Sequence, residues 1–268
     1  MIPVSRLTQV PTILETNANE WLTKLKAIKA NPKATKTELK NAINKYNQPE
    51  VKEALVGMFH GKCAYCESQI RIVDYGDIEH FYPKSEYTDF TFEWTNLLLS
   101  CKICNNSKHK GTKFPLNANH KPLLIDPTDK QTDIFEHLKL TWDQTTNKAC
   151  IDGLTDRGKT VVDIFDLNAQ RGTRKELIDE RSKKVKRMLA LLDLATSETI
   201  DDANRKKAIN LLKELCNIEE TYLAFALFYI LPFLAHECQD LEAINLLKKV
   251  GQRSPSYSQF ARINQLLD

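Results

Sequence analysis

Two Cys-x-x-Cys pairs, Cys63/Cys66 and Cys101/Cys104, bracket a stretch that also carries Glu79-His80, Asn96, Asn105, Lys108 and His109. Thiolates are soft ligands that suit a tetrahedral zinc ion, and two intervening residues let one tight turn present both sulfurs. A single pair of this kind can be a redox motif; two pairs in one stretch favour a metal. Disulfides are the competing reading. Against them, the chain opens with no secretory signal, and Cys150, Cys216 and Cys238 stand singly in apolar surroundings, as in a reducing compartment. Four protein ligands leave no open position, so the expected zinc is structural, not catalytic.

Glu79 and His80 follow a short alternating run, Gln69 to Val73, and a turn at Asp74-Tyr75-Gly76. They read as part of the second strand of a β-hairpin. Neighbouring strand residues face opposite ways, so one of the two can hold a metal while the other addresses a substrate. A surface carboxylate–imidazole pair is the plainer alternative. Lys102 to Lys110 has the length of a short helix, which puts Asn105 and His109 on one helical face. Hairpin, loop and helix together make a ββα arrangement with zinc clamping its base.

The stretch from Cys63 to Gly111 resembles the HNH endonucleases. Glu79-His80 matches the family's acid–histidine element, Asn96 its central asparagine and Asn105 its helix residue. The second knuckle is similar to the family's C-x-x-C-N-x-x-K form, here Cys101-Lys102-Ile103-Cys104-Asn105-Asn106-Ser107-Lys108. Two positions depart from the commoner pattern, Glu79 for Asp and Asn105 for His, and both still offer oxygen to a hard cation. The resemblance implies a treble-clef-like ββα-metal core that hydrolyses phosphodiesters. His80, whose ordinary pKa lies near 6.5, would be the base. Glu79 and Asn105 would hold Mg²⁺ or Mn²⁺. Asn96 would pin the loop and orient His80, and Lys108 would contact a phosphate. His109 is either a further ligand or a surface histidine, with the surface reading preferred; Asp77, on the Glu79 face, is at most an outer support.

Around this centre the expected fold is mostly α with a small α+β core. The chain of 268 residues, 42% hydrophobic with a net charge of +3, has enough apolar content for a normal core and no charge excess that demands nucleic acid. The expected parts are an N-terminal helical segment 1–60, the zinc-stapled core 61–125 and a mainly helical region 126–268. In the first, Asn19 caps a helix to Ala30, Thr37 caps Glu38 to Tyr46, and Pro49 opens a helix to Phe59. In the last, Leu138–Trp142 and Lys148–Ile151 form a hairpin. Helical segments follow at Thr160–Asn168, Thr173–Ala195, 202–217, 219–236, 240–250 and 256–267. The most apolar run, Tyr222 to Ala235, contains Pro232 and is too short to span a bilayer, so a cytoplasmic protein is expected. Arg181, Lys184, Lys186 and Arg187 share the basic face of the long helix. Such a face is ordinarily solvated, but beside a nuclease it is also a candidate track for a nucleic-acid backbone.

The flanks, with Leu124-Ile125-Asp126-Pro127 and Asp166-Leu167-Asn168, are similar to those of the PtuB-type HNH nucleases of Septu and retron-associated anti-phage defence. That narrower resemblance implies nucleic acid, chiefly DNA, as substrate, an ABC/SMC-like ATPase of the PtuA type as partner, and a helical tail that docks it. The alternatives are a stand-alone restriction-type HNH enzyme and a non-catalytic zinc module that binds nucleic acid.

Overall fold

A computed structural model describes residues 1–70, 76–236 and 238. They fall into two compact units: Val4–Pro122, and Met1–Pro3 with the chain from Leu123 onward. No described helix is long and apolar enough to cross a membrane. The fold is largely helical with two small antiparallel sheets.

In the first unit, α1 (Thr12–Ala30), α2 (Lys36–Ile43) and α3 (Pro49–Met58) precede the cysteine-bracketed stretch. Helix α1 starts at Thr12, earlier than the cap at Asn19 read from the sequence. Its cap comes from another helix: Thr12 and Ile13 donate their amides to the Glu50 carboxylate, at 2.5 and 3.3 Å. Helix α2 is capped by Thr35 in a reciprocal box with Glu38, not by Thr37, and ends in a single 3₁₀ turn at Asn44–Tyr46. Pro49 occupies the first turn of α3, where its missing amide costs nothing. Strand β1 (Asp77–His80) pairs antiparallel with β2 (Leu97–Ser100), Asp77 opposite Ser100 and His80 opposite Leu97. The expected hairpin arm at 69–73 is seen only as a bridge from Gln69 to Lys62; residues 71–75 lie outside the described residues. Gly76 fits the expected turn: at φ +65, a side chain there would meet Ile70 at 2.9 Å. Arg6 fastens the lead segment to β2, donating to the Trp94 and Leu97 carbonyls at 2.7 and 3.0 Å.

Helix α4 is Lys102–Asn105 only. The expected helix to Lys110 stops because Asn106 turns extended and its side-chain oxygen accepts the Lys108 and His109 amides, at 3.0 and 3.1 Å. A local side-chain turn has outcompeted the helical ladder.

In the second unit, α5 (Ile134–His137) leads into the hairpin β3 (Leu138–Asp143) and β4 (Lys148–Gly153), as the alternation predicts. Helix α6 (Asp156–Ile164) follows, capped by Thr155 and earlier than the segment expected from Thr160. Then come α7 (Lys175–Thr196) and α8 (Asp202–Leu215). The segment expected as one helix over 219–236 is two, α9 (Leu223–Tyr229) and α10 (Leu231–His236). Pro232 has no amide to continue the ladder across the break at Ile230. The helices expected at 240–250 and 256–267 lie outside the described residues.

The two flanking motifs prove to be packing devices. Leu124 and Ile125 are fully buried, and Asp126 turns the chain by accepting the Thr128 amide at 2.8 Å. The Asn168 side chain accepts from the Ile151 amide at 3.0 Å and donates to the Ile151 carbonyl at 2.8 Å, clipping β4 to the chain before α7.

Candidate active site

The four cysteines converge. The sulfurs of Cys63, Cys66, Cys101 and Cys104 all lie within 4.8 Å of one another, and this is the one such cluster of His, Cys, Asp or Glu among the described residues. Local structure explains the convergence. Cys63 sits in a tight turn closed by its own backbone, with Glu67 in the left-handed region at φ 60 and donating to the Cys63 carbonyl at 3.0 Å. Cys101 is the N-cap of α4, its sulfur accepting the Cys104 amide at 3.4 Å. The Ala64 amide reaches the Leu99 carbonyl at 2.8 Å and binds the first turn to β2. Thiolates bound at about 2.3 Å to one tetrahedral ion stand about 3.8 Å apart; the Cys66 and Cys101 sulfurs are 3.9 Å apart. Burial, together with the neighbouring thiols, pushes the Cys104 thiol well above its ordinary value. Four thiolates at this spacing need a cation among them, and the cluster fits a structural metal such as zinc.

Strand β1 carries the second set of candidates. His80 is 3% exposed, and its Nε2 lies 2.9 Å from the Thr91 carbonyl. A carbonyl only accepts, so Nε2 bears the proton and Nδ1 keeps its lone pair. Nδ1 is buried and has no hydrogen-bond partner. Tyr46 packs edge-on against the imidazole at 4.5 Å between centroids. Burial first, then the Lys84 ammonium, hold His80 down at about 3, so the ring is neutral across the physiological range.

Asn96 is buried, and its side chain is fully occupied by the loop after His80. Its oxygen accepts the Tyr82 amide at 2.7 Å, while its nitrogen donates to the Tyr82 and Phe90 carbonyls at 3.1 and 2.9 Å. The loop is thus fastened at both ends, and Thr91, the residue that meets His80, follows directly.

Glu79 is 4% exposed and forms an ion pair with Lys110, which is fully buried. The same ammonium donates to the His80 carbonyl at 2.7 Å. Burial raises the Glu79 carboxyl above its ordinary value, and Lys110 opposes that rise. Asn105 does not engage Glu79 in these contacts; its amide donates to Asp77 Oδ2 at 3.0 Å. His109 is 5% exposed, against the surface reading, with Nδ1 3.1 Å from the Asn106 side-chain oxygen. Since α4 ends at Asn105, the two residues do not share a helical face. Lys108 is exposed.

On α7 the expected basic track loses a member. Arg181 is 2% exposed and donates to the carbonyls of Ala149 and Leu167, at 2.8 and 3.0 Å. It is an interior strut that joins β4 to the chain between α6 and α7. Lys184 pairs with Glu220 at 2.5 Å. Lys186 and Arg187 are exposed.

Sequence reasoning missed Lys110 and Thr91. Neither had a local signal: a lysine after a run of polar residues reads as solvated, and the Thr91 contact is made by a backbone carbonyl.

Residues 63–111 match the family model described as HNH endonuclease. The chain is 33% identical over 144 residues to a Septu protein PtuB of Bacillus thuringiensis, covering 53% of this chain and 51% of that one. It is 29% identical over 257 residues to a Septu protein PtuB of Bacillus mycoides (strain KBAB4), covering 83% of this chain and 82% of that one. The chain thus spans about half the length of the first relative and most of the second.

Proposed function

We propose, from the premise that residues 63–111 are an HNH endonuclease domain, that the chain is a cytoplasmic, metal-dependent nuclease of anti-phage defence that hydrolyses phosphodiesters of nucleic acid, chiefly DNA. The observation that carries this reading is His80: a neutral imidazole with its Nε2 proton spent on the Thr91 carbonyl and its Nδ1 lone pair unengaged. That arrangement suits a base that takes a proton from an attacking water. Asn96 acts as the positioning residue, because it fastens the loop that carries Thr91.

Glu79 and Asn105 would hold Mg²⁺ or Mn²⁺, with His109 as a further ligand and Asp77 supporting Asn105. The oxygens of Glu79 and Asn105 would suit a hard cation, His109 would add a ring nitrogen, and Glu79 would offer the carboxylate that pairs with Lys110. When bound, such an ion supplies charge neutralisation at the phosphate and the leaving oxygen. Lys108, exposed after α4, would meet a flanking phosphate. The four cysteines would hold zinc as a closed site that carries no chemistry.

Two relatives named Septu protein PtuB support a Septu-type setting, in which the expected partner is an ABC/SMC-like ATPase of the PtuA type. Exposed Lys186 and Arg187 on α7 belong to the surface that would meet that partner or the nucleic-acid backbone. The test is to purify the chain with and without its genomic neighbour and to assay both on plasmid, single-stranded DNA and RNA with Mg²⁺ or Mn²⁺. Cleavage that His80→Ala abolishes while the fold and zinc content persist is the expected result. A His80→Ala protein that cuts at the wild-type rate removes His80 as the base.

A further inference from the structure

The loop that follows His80 is lined with aromatic rings that do not belong to the core. The Tyr82 ring touches those of Tyr87, Phe90 and Phe114, at 5.2, 5.1 and 4.7 Å between centroids. Tyr87 in turn lies near Phe90 and Phe114, at 6.3 and 5.4 Å. Phe81 is 5% exposed and anchors the group from below, whereas Phe90 is 40% exposed and Tyr82, Tyr87 and Phe114 are half-buried. A cluster needed only for packing would turn its rings inward; this one keeps a shelf in water in the loop that follows the candidate base.

Two further features bear on what the shelf receives. It is held rigidly with respect to His80, since Asn96 clips Tyr82 through both its amide and its carbonyl. Positive charge lies in the neighbouring chain. Lys84, two residues after Tyr82, holds its ammonium over the Tyr46 ring that packs on His80, 5.1 Å from its centroid, and exposed Lys113 precedes Phe114 and donates to the Lys108 carbonyl at 2.5 Å. Between His80 and β2, Asp89 is paired with Lys26, and Glu86 and Glu93 are the other acids. Half-open rings with lysines alongside suit an anionic chain that carries flat aromatic groups.

We propose that Tyr82, Tyr87, Phe90 and Phe114 form a stacking platform for unpaired nucleobases, so that the scissile phosphodiester is presented from single-stranded or locally unwound nucleic acid. This rests on the nuclease reading above and specifies its substrate class. In a duplex the base faces are already stacked on one another, and they reach protein rings only when a nucleotide is turned out. An unpaired strand offers its base faces to aromatic side chains at little cost, and its phosphates to the neighbouring lysines.

The test places 2-aminopurine in matched single-stranded DNA, single-stranded RNA and duplex DNA, measures binding and quenching by the full chain without divalent cation, and then measures cleavage with Mg²⁺ or Mn²⁺ added. Tyr87→Ala and Phe90→Ala are compared with the conservative Tyr87→Phe and Phe90→Trp, with zinc content as the control for folding. The expected result is quenching by the wild type on single strands, and affinity for them about ten-fold lower with each alanine. The aromatic replacements should retain binding, and duplex affinity should change little. Equal losses on single strands and duplex, or alanine variants that bind and cut like the wild type, overturn the platform and leave the nuclease standing. A wild type that neither binds nor cuts any of these nucleic acids removes both readings together.

Discussion

Replacing Lys110 with Met should be among the most damaging single changes in the first unit. The ammonium is fully buried, Glu79 beside it has a side chain 5% exposed, and Lys110 also satisfies the His80 carbonyl. Removing one member of a buried pair strands the other charge, at a cost of about 3–5 kcal/mol. Losing the donor to the His80 carbonyl adds about 1 kcal/mol. Against a total stability of about 5–15 kcal/mol for a domain, this is a large share. The expected fall in melting temperature is roughly 10–20 °C. The double variant Lys110→Met/Glu79→Gln removes both charges and should recover most of the loss, leaving the carbonyl's share. Urea unfolding of zinc-loaded protein without other divalent cations, run as a double-mutant cycle, should give a coupling of about 2 kcal/mol or more. pH supplies a second check. Burial already raises the Glu79 carboxyl in the folded state, and without Lys110 it rises further. The folded variant therefore binds a proton more tightly than the unfolded chain does. Its deficit is largest well above the unfolded pKa of about 4.3 and shrinks as pH falls through the raised value. A single-variant cost below about 1 kcal/mol, or a double variant no better than the single, would refute the view that this pair is desolvated and mutually dependent.

Three other outcomes follow from the same structure. Because the four sulfurs share one cluster, Cys101→Ser or prolonged chelation should abolish cooperative unfolding of the first unit while the helical signal of the second persists, and metal analysis of soluble wild-type protein should give one zinc per chain. On α7, Arg181→Glu should destabilise the second unit by about 3 kcal/mol or more, since it buries an unpaired charge among carbonyls. Lys186→Glu with Arg187→Glu should leave the melting temperature within about 2 °C and act only on binding of partner or nucleic acid.

What could be read in advance follows a physical division. The cysteine pairs declare themselves because a tetrahedral ion imposes a spacing on the chain itself, and the hairpin at Leu138–Gly153 because strand alternation is local. Helix boundaries failed wherever the deciding partner was remote. Helix α1 begins at Thr12 because Glu50 caps it from a residue 38 positions away, and no window around Asn19 contains that fact. At the candidate centre the residue types were legible and their partners were not. Glu79 and Asn105 each suit a hard cation, yet which groups occupy them in the folded chain, Lys110 and Asp77, depends on packing. Arg181 shows the same limit from the other side. In a helical wheel it is one more basic residue, and only the carbonyls left open by β4 and Leu167 draw it inside.

The sulfur cluster has a consequence for when the candidate centre takes shape. Cys66 and Cys101 are 35 positions apart, and the segment between them holds Glu79, His80, Thr91 and Asn96. Closing a segment of that length costs several kcal/mol of chain entropy, which an ion bound by both ends can offset. The candidate residues would therefore be ordered by the same event that captures the ion. A nascent chain that has displayed only Cys63 and Cys66 to its surroundings has no fixed geometry at His80, whatever its concentration. If the proposed activity holds, the candidate centre could not be assembled before Cys104 has emerged and an ion has bound the four sulfurs.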